Sequence, residues 1–490
     1  MGLRSGAPPG MWEAAGQVRG AVGGLIRRHA FFAVALTTGT AVRAVITVTQ
    51  LPVLAKNDSY AYIALALRPQ PHVVRPSGYP LFLWSLKPFH SFTLVVAVQH
   101  LLALAAIVGV YALLRRRTSL PGWAATLAVL PELFGAWQLK MESAIMSEAL
   151  FISLIVGAVV VTLWWRRPPV WAAAAAGLLL ATATLVRATG LPLVLLTAGF
   201  LAVRRAGWRP VAAFAAVAAV PLAGYGLWFQ AWHGTVALTQ SNGIFLYGRV
   251  MAFADCAEMD PPAAERPLCT ETPPGARPKS DTYIWYPGTP LQNMGGDVFS
   301  AEVNRLASSF AWRAIREQPL DFAGTVVRDT GAFVAGPWVR MPPLAEELGY
   351  GSGANATYVP GGDPVRDVLA YERGDLLVST ALGHAAPTPP EPRAAGLLEA
   401  EGNATGLLLG VLLVAGAAGA VARGRGEVAF PWILAVTLLL IPAATSVFDR
   451  RYALPAVPLA LLTVALLWGR GERRGRRGAP YAGRETSPIV

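Results

Sequence analysis

Long apolar stretches alternate with short polar segments over most of this chain. Ten apolar runs occupy residues 30–54, 92–114, 121–140, 144–165, 170–187, 190–203, 210–231, 404–422, 428–447 and 453–468. Most of them approach the roughly 20 residues that a helix needs to cross a hydrocarbon core of about 30 Å. The pattern therefore predicts an all-α polytopic membrane protein with ten transmembrane helices, of which the sixth, short and containing Pro192, is the least typical.

Arginine clusters separate these runs in a regular order. They lie at residues 27–28, 115–117, 166–167, 204–205, 423–425 and 470–477. If all ten runs span the bilayer, every cluster falls on the same side, which the positive-inside rule identifies as the cytoplasm. The pattern predicts a multi-pass protein of the cell membrane with both termini, residues 1–29 and 469–490, in the cytoplasm.

The composition agrees with this architecture. Charged residues make up only 14% of the 490 residues, whereas soluble domains carry about 25%. The net charge of +12 comes from arginines that lie between apolar runs, so it indicates membrane topology and no nucleic-acid partner. Heavy use of Arg over Lys, together with abundant Ala, Gly and Pro, is typical of a GC-rich bacterial genome.

Two large segments fall on the opposite, external side. The first, residues 55–91, connects spans one and two within the 30–231 block of seven spans. The second, residues 232–403, precedes the last three spans at 404–468 and is rich in Pro, Gly and acidic residues. Because it contains amphipathic stretches at 299–317 and 321–334, it is predicted to be a small mixed extracytoplasmic domain.

Two cysteines, Cys256 and Cys269, flank a proline-rich loop in this second segment. Outside the cytoplasm a nearby pair predicts a disulfide. The six scattered histidines show no metal-ligand spacing. No metal site and no required cofactor are predicted, and metal dependence is left open.

The first external loop is the most informative part of the sequence. Asp58 follows span one and is equally compatible with a helix N-cap and with a functional carboxylate. After it, one face of a short helix suited to the membrane surface carries Tyr60, Ile63, Ala64 and Leu67. Residues 75–84, Arg-Pro-Ser-Gly-Tyr-Pro-Leu-Phe-Leu-Trp, then turn the chain back toward the bilayer and lead to Lys87.

This loop resembles the GT-C superfamily of membrane glycosyltransferases, in its protein O-mannosyltransferase-like and aminoarabinose-transferase-like branch. Three further segments are similar to that branch: Ser-Glu-Ala-Leu-Phe at 147–151, Leu-Val-Arg-Ala-Thr-Gly at 185–190 and Asp-Arg-Arg-Tyr-Ala-Leu-Pro at 449–455. The resemblance covers most of residues 30–231 and 404–468. One departure is that Ser59 follows Asp58 where many relatives carry a paired acidic motif, which disfavours a metal-dependent mechanism.

The resemblance implies an inverting glycosyltransferase that moves a sugar from a polyprenyl-phosphate carrier to a cell-envelope glycan, lipid or protein. Asp58 would be the general base. The donor phosphate requires cations that stabilise it as it leaves. Candidates at external span ends are Arg75, Lys87, Arg187, Arg450 and Arg451. Their alternative role is to bind lipid headgroups or to cap helix ends.

Four further charges lie in or near the spans. Arg43 in span one and Glu132 in span three both fall near mid-depth, where a charge is costly and usually paired. They are predicted to form a structural ion pair, with a transport function as the alternative. Glu142 and Glu148, at the external ends of spans three and four, are candidates to orient the acceptor or the donor sugar; simple interfacial solvation is the alternative.

Two other classes of protein share some of these features. A transporter or flippase of lipid-linked sugars would also use a basic external pocket, but the sequence shows no repeat symmetry and a transporter does not need the external insert. A non-catalytic envelope scaffold would account for the insert but not for Asp58 among external cations. A cavity lined by Asp58 and these cations would favour the transferase.

Overall fold

The computed structural model describes residues 9–50, 52–54, 56–335, 364–372, 392–424, 426–446 and 449–468. The basic tail predicted at residues 469–490 lies outside these ranges. Within them the regular structure is mostly helical, and an isolated parallel bridge joins Val53 and Ala144. In chain order the helices are α1 (Pro9–Thr49), α2 (Lys56–Leu67), α3 (Gly78–Leu86), α4 (Phe92–Arg117), α5 (Gly122–Leu127), α6 (Leu130–Phe134), α7 (Ala136–Ser143), α8 (Ser147–Trp164), α9 (Val170–Val186), α10 (Leu191–Val203), α11 (Trp208–His233), α12 (Asn242–Val250), α13 (Cys256–Met259), α14 (Thr282–Trp285), α15 (Ala301–Glu317), α16 (Pro319–Ala335), α17 (Pro364–Tyr371), α18 (Pro392–Arg423), α19 (Gly426–Thr445) and α20 (Ala456–Leu466).

Six of the described helices are long and apolar enough to cross a membrane. They are α4, α8, α11 and α19, with the part of α1 at His29–Thr49 and the part of α18 at Ala404–Arg423. Helices α9 and α10 are apolar but shorter. The chain is therefore a multi-pass helical membrane protein, whereas the count of ten spans stays a prediction.

The third apolar run does not form the single span that was predicted. Residues 121–140 fold instead into the short helices α5, α6 and α7. Pro131 lies in the first turn of α6, and Gly135 leaves the helical region of backbone conformation with ψ 121° before α7 begins. Proline removes a backbone donor and clashes with the preceding turn, so the apolar run is interrupted near its middle.

The arginine-rich helix ends meet at one end of the bundle. Arg117, the last residue of α4, and Arg204, just after α10, both bind the carboxylate of Glu427 at the start of α19. The backbone N–H of Ser119 donates to the carbonyl of Trp468, just after α20, at 2.9 Å. Helices that the arginine pattern assigns to one side thus do end together, while the orientation of that side toward the cytoplasm stays a prediction.

The segment that is predicted to be external has its own apolar core. Helix α12 packs against α15, where the rings of Tyr247 and Phe310 meet edge to face at 5.5 Å. The amphipathic stretches predicted at 299–317 and 321–334 correspond to α15 and α16, and Ser300 caps α15 by accepting a hydrogen bond from the N–H of Val303. The expectation of a mixed domain is wrong for the described part of residues 232–403, which contains helices and turns but no strand.

Cys256 and Cys269 form a disulfide at the edge of this core, with Cα atoms 6.0 Å apart. The bridge closes the proline-rich loop that the sequence singled out. The hydroxyl of Tyr247 donates to the carbonyl of Leu268 at 2.9 Å, next to the second cysteine. The loop is therefore fixed both covalently and by a buried hydrogen bond.

A candidate active site around Asp58

Helix α2 does not lie on the surface as its pattern predicts. Its centre is buried on all sides, with Ile63 and Ala66 fully enclosed. Ser59 donates to the carbonyl of Ile145 at 2.9 Å, and the hydroxyl of Tyr62 to that of Ser147 at 3.2 Å. These bonds attach α2 to the start of α8, and the mostly apolar sequence of its residues 60–67 suits burial all round.

Asp58 is the third residue of α2 and not its N-cap. Its two carboxylate oxygens are held by two different arginines. Nη2 of Arg75 binds Oδ1, and Nη1 of Arg451 lies 2.9 Å from Oδ2. The side chain of Asp58 is 22% exposed, so it sits at the edge of the bundle and not in its interior.

Two further charges extend this arrangement. The same Nη1 of Arg451 lies 3.6 Å from Oε1 of Glu148, and that oxygen accepts a hydrogen bond from Nη1 of Arg187 at 2.6 Å. We call Arg75, Asp58, Arg451, Glu148 and Arg187 the ion cluster. It joins the first loop, the start of α8, the end of α9 and the turn before α20.

A third carboxylate next to the ion cluster balances its three guanidiniums. Asp449 lies 2.8 Å from Nε of Arg451, so three carboxylates face three guanidiniums. Burial alone would raise the pKa of Asp58, but the positive charges of Arg75, Arg451 and Arg187 outweigh it and hold that pKa well below its ordinary value. Burial opposes the charged form of Arg451, yet Asp449 and Asp58 raise its pKa well above normal. Asp58 and Arg451 are thus both ionised at neutral pH.

Aromatic rings hold the guanidiniums in place. The guanidinium carbons of Arg187 and Arg451 lie 5.1 Å and 5.5 Å from the centre of the Tyr452 ring. Arg75 lies 5.5 Å from the ring of Tyr62. Such contacts favour a cation over an aromatic face. Sequence reasoning did not single out Tyr62 and Tyr452 as site residues, although both lie within or beside the segments that carry the resemblance.

The motif glycine of the first loop has a packing role. A Cβ on Gly78 would lie 2.5 Å from both the carbonyl carbon and the oxygen of Leu185. Only glycine therefore lets the start of α3 approach the end of α9 so closely. This contact brings the loop with Arg75 beside the segment with Arg187, although the two are more than a hundred residues apart in sequence.

Two predicted cations are placed differently from the rest. Lys87 is half-buried in the 3-10 turn after α3, and no side-chain contact among the described residues joins it to the ion cluster. Arg450 is half-buried and directly precedes Arg451 in the turn Arg450–Ala453. Of the five predicted cations, the structure brings Arg75, Arg187 and Arg451 together around the carboxylates.

The predicted ion pair between Arg43 and Glu132 is wrong. Arg43 binds the carboxylate of Glu142 instead, and it donates to the backbone carbonyl of Glu132 at 3.0 Å. The break before α7 is the reason, because it turns that carbonyl toward Arg43 and brings Glu142 back beside it. Glu142 is fully buried, and its expected role in orienting the acceptor or the donor sugar stays a prediction.

Two cavities in the described part of the chain lie away from Asp58. One cavity is at the arginine-rich end of the bundle. The other is a small cavity inside the bundle, lined by Glu132 and Gln138 among apolar side chains. The expected cavity lined by Asp58 is therefore not one of these. No group of three or more His, Cys, Asp or Glu side chains in the described ranges is placed to hold a metal, and metal dependence stays open.

No family model matches the chain, and no curated protein matches its sequence. Two solved structures are similar to it. The oligosaccharyltransferase of Archaeoglobus fulgidus in the apo form has a TM-score of 0.40 and 14% identity over 88% of this chain and 49% of that one. The archaeal oligosaccharyltransferase AglB from the same organism, in complex with an inhibitory peptide and a dolichol-phosphate, has a TM-score of 0.39 and 14% identity over 90% and 50%. The chain spans about half the length of these structures, and at such TM-scores function has to be argued from the site itself.

Proposed function

We propose that this protein is an inverting glycosyltransferase of the GT-C type, which transfers a sugar from a polyprenyl-phosphate carrier to a cell-envelope acceptor on the extracytoplasmic face. One observation carries the proposal. The four segments that resemble GT-C enzymes, spread between residues 58 and 451, supply every member of the ion cluster. Four segments that share no function are not expected to place their charged side chains in one set of ion pairs.

The position of the cluster suits a lipid-linked donor. It lies at the start of α8 and the end of α9, and thus at the ends of apolar helices. The lipid tail of the donor stays in the bilayer, so its phosphate must lie at this level. The three guanidiniums are suited to hold that phosphate and to stabilise its negative charge as it leaves.

Asp58 supplies the base. In a single displacement, Asp58 takes the proton of the acceptor hydroxyl while the hydroxyl oxygen attacks the anomeric carbon. The bond from that carbon to the phosphate oxygen breaks, and the polyprenyl phosphate leaves with the electron pair. Attack opposite the leaving group inverts the configuration. Glu148, which binds both Arg187 and Arg451, keeps the two guanidiniums on the side of the phosphate.

The ion pairs imply an order of events. Both oxygens of Asp58 are occupied by guanidiniums, and a base held in this way is weak. A donor phosphate carries charge and oxygens that compete for the same two arginines. Binding of the donor therefore frees Asp58, so that the base becomes effective only when the donor is present.

Replacement of Asp58 by Asn tests the assignment, because the amide keeps the shape and removes the basicity. With a polyprenyl-phosphate sugar chosen from a panel of donors, Asp58→Asn should lower kcat by about 100-fold or more. Its affinity for the donor should be unchanged or higher, since a competing carboxylate is gone. Asp260→Asn, at an exposed site in the external segment, is the matched control. A folded Asp58→Asn protein with nearly full transfer activity would disprove the proposal.

A further inference from the structure

A cavity of about 720 Å³ lies at the end of the bundle opposite the ion cluster. It opens between the end of α4, the end of α8 and the part of α1 near His29. Because α8 joins the two sites, they are separated by about 27 Å, the length of 18 residues of helix. We call it the arginine–tryptophan cavity, and its lining includes Arg115, Arg116, Arg117, Trp164, Trp165 and Arg166. The proposed transfer reaction does not use it.

The walls of this cavity are well fixed. Nε of Arg116 donates to the carbonyl of Trp164 at 3.1 Å, and its guanidinium carbon lies 5.4 Å from the centre of that indole. On the other wall, Nδ1 of His29 and the hydroxyl of Tyr111 are hydrogen-bonded at 2.6 Å, and Tyr111 stacks on Phe32 at 3.7 Å. These contacts fix the positions of side chains that line the cavity.

Two arginines that line the cavity have no carboxylate partner among the residues that the structure describes. Arg117 is paired with Glu427, but Arg115 and Arg116 have no carboxylate within ion-pair distance among the described residues. Nε of Arg115 is buried and has no hydrogen-bond partner. A buried donor of this kind normally has an acceptor, and an anion would supply one beside two guanidiniums that no described carboxylate pairs with.

An apolar stripe leads from the cavity into the bilayer. The stripe consists of residues that are spaced by about one turn on one face of α4, and it leads to Arg115. Its members are Leu101, Ala105, Val108 and Ala112. Leu101 is 63% and Val108 38% exposed, so the stripe faces outward. Trp165 and Trp171 meet at 5.0 Å near the mouth, and tryptophan is typical of the membrane–water interface.

We infer that the arginine–tryptophan cavity binds the headgroup phosphate of an anionic phospholipid, whose acyl chains lie along the stripe on α4. A free phosphate ion would satisfy Arg115 and Arg116 but would make no use of the stripe. A basic pocket between helix ends at the membrane surface suits such a headgroup. The protein thus has a lipid site at the end remote from its proposed chemistry.

Phosphatidylglycerol binding to the full-length protein tests this inference. The protein is purified in detergent and titrated with phosphatidylglycerol, and binding is followed by native mass spectrometry. Arg115→Gln/Arg116→Gln should weaken binding by about tenfold or more, as expected for two interfacial cations. Ala112→Trp, which fills the cavity without a change of charge, should weaken it similarly.

The matched control is Arg205→Gln/Arg209→Gln. It removes two exposed arginines at the same end of the bundle, since the neighbouring Arg204 shares Glu427 with Arg117. Its binding should stay within about twofold of the wild type if the cavity, and not general surface charge, binds the lipid. If the control loses as much affinity as the cavity variants, or if Ala112→Trp binds normally, the inference is overturned.

Inorganic phosphate separates the lipid from a free anion. At millimolar concentration it should not displace phosphatidylglycerol, because the acyl chains contribute to binding; full displacement would identify an ion site and overturn the inference. If Arg115→Gln/Arg116→Gln does not fold, as judged by size-exclusion chromatography, Arg116→Gln replaces it. The side chain of Arg116 is exposed. Arg116→Gln and Ala112→Trp, each measured separately, then decide whether the cavity binds the lipid.

Discussion

The guanidinium of Arg43 binds both carboxylate oxygens of Glu142, at 2.7 Å and 2.9 Å, inside the helix bundle. Neither side chain is more than 2% exposed. His100 and Gln138 complete the partners of the carboxylate, at 2.8 Å and 2.9 Å. A buried pair with this many additional hydrogen bonds is costly to break by removal of one member.

Glu142→Gln should therefore destabilise the protein by about 3–5 kcal/mol, because it leaves the charge of Arg43 buried and without a counter-charge. Glu132→Gln is the control, since no contact of the Glu132 carboxylate with a cation is found among the described residues. It should change stability little. Denaturant unfolding in detergent measures both variants, and equal losses would favour the pairing of Arg43 with Glu132 that the sequence suggested.

Arg451→Lys tests the bridge between Asp58 and Glu148. A lysine carries one compact charge and cannot present one nitrogen to Asp58 and Glu148 and a second to Asp449, as the guanidinium does. Loss of one charged hydrogen bond is expected to lower kcat/KM by about tenfold to 100-fold. Arg450→Lys, at the adjacent position, is the control and should lose less. The ion cluster would not hold the donor phosphate if Arg451→Lys had wild-type kinetics.

The pH dependence of stability reports on Asp58. Burial opposes its charged form, but the three guanidiniums prevail and set its pKa well below the ordinary value. An unfolded aspartate has a pKa of about 3.9, so the ionised carboxylate contributes stability above that pH and loses it as the pH falls further. The difference in melting temperature between wild type and Asp58→Asn should be constant from about pH 5 to 8 and shrink below about pH 4. A change centred near pH 6 to 7 would point to another group.

The disulfide should stabilise the external segment. In the chain-entropy model, closing a loop of this length contributes about 3 kcal/mol, and the two cysteines are 13 residues apart. Cys256→Ser/Cys269→Ser should therefore make the helices α12 to α15 more susceptible to protease. Reduction of the wild type should have the same effect and should not affect the variant further. Equal protease resistance of the oxidised wild type and the variant would contradict this.

Reporter fusions test the orientation. A reporter that works only in the cytoplasm should give a signal when it is joined after residue 206. A reporter that works only outside the cytoplasm should give a signal when it is joined after residue 290, because the arginine clusters define the cytoplasmic side. A cytoplasmic signal at residue 290 would reverse the topology. It would also move the ion cluster to the side where lipid-linked donors of the outer leaflet are not available.

The sequence predicts at which end of the bundle the charges at helix termini lie, because the positive-inside rule applies to all of them. Arginines that end α4 and α10 share an end of the bundle since the bilayer aligns the helix termini. The same alignment brings Asp58, Arg187 and Arg451 to the other end. What the sequence does not specify is which guanidinium faces which carboxylate, as shown by Lys87, which lies outside the ion cluster.

Two features were missed for different reasons. The partner of Arg43 depends on a break in the third run, and a count of apolar residues does not reveal a break, although Pro131 and Gly135 were visible signals. The burial of α2 does not follow from the apolar positions on one of its faces, because such a stripe predicts a helix at a surface. From residue 60 onward the positions between them, such as Ala61 and Ala66, are mostly apolar as well, which is the pattern of a buried helix.

The broken run has a consequence for biogenesis. The helices α5 to α7 that it forms, which extend to Ser143, include Glu132, Lys140 and Glu142, and such charges make unaided entry into the bilayer unfavourable. Arg43 is synthesised earlier, and it provides both a counter-charge and donors for the carbonyls of Glu132 and Leu133. The segment should therefore enter the membrane only when α1 is already there. In a translocon insertion assay, residues 118–146 should insert behind α1 and fail to insert behind α1 with Arg43→Leu; equal insertion in both would show that the segment enters on its own.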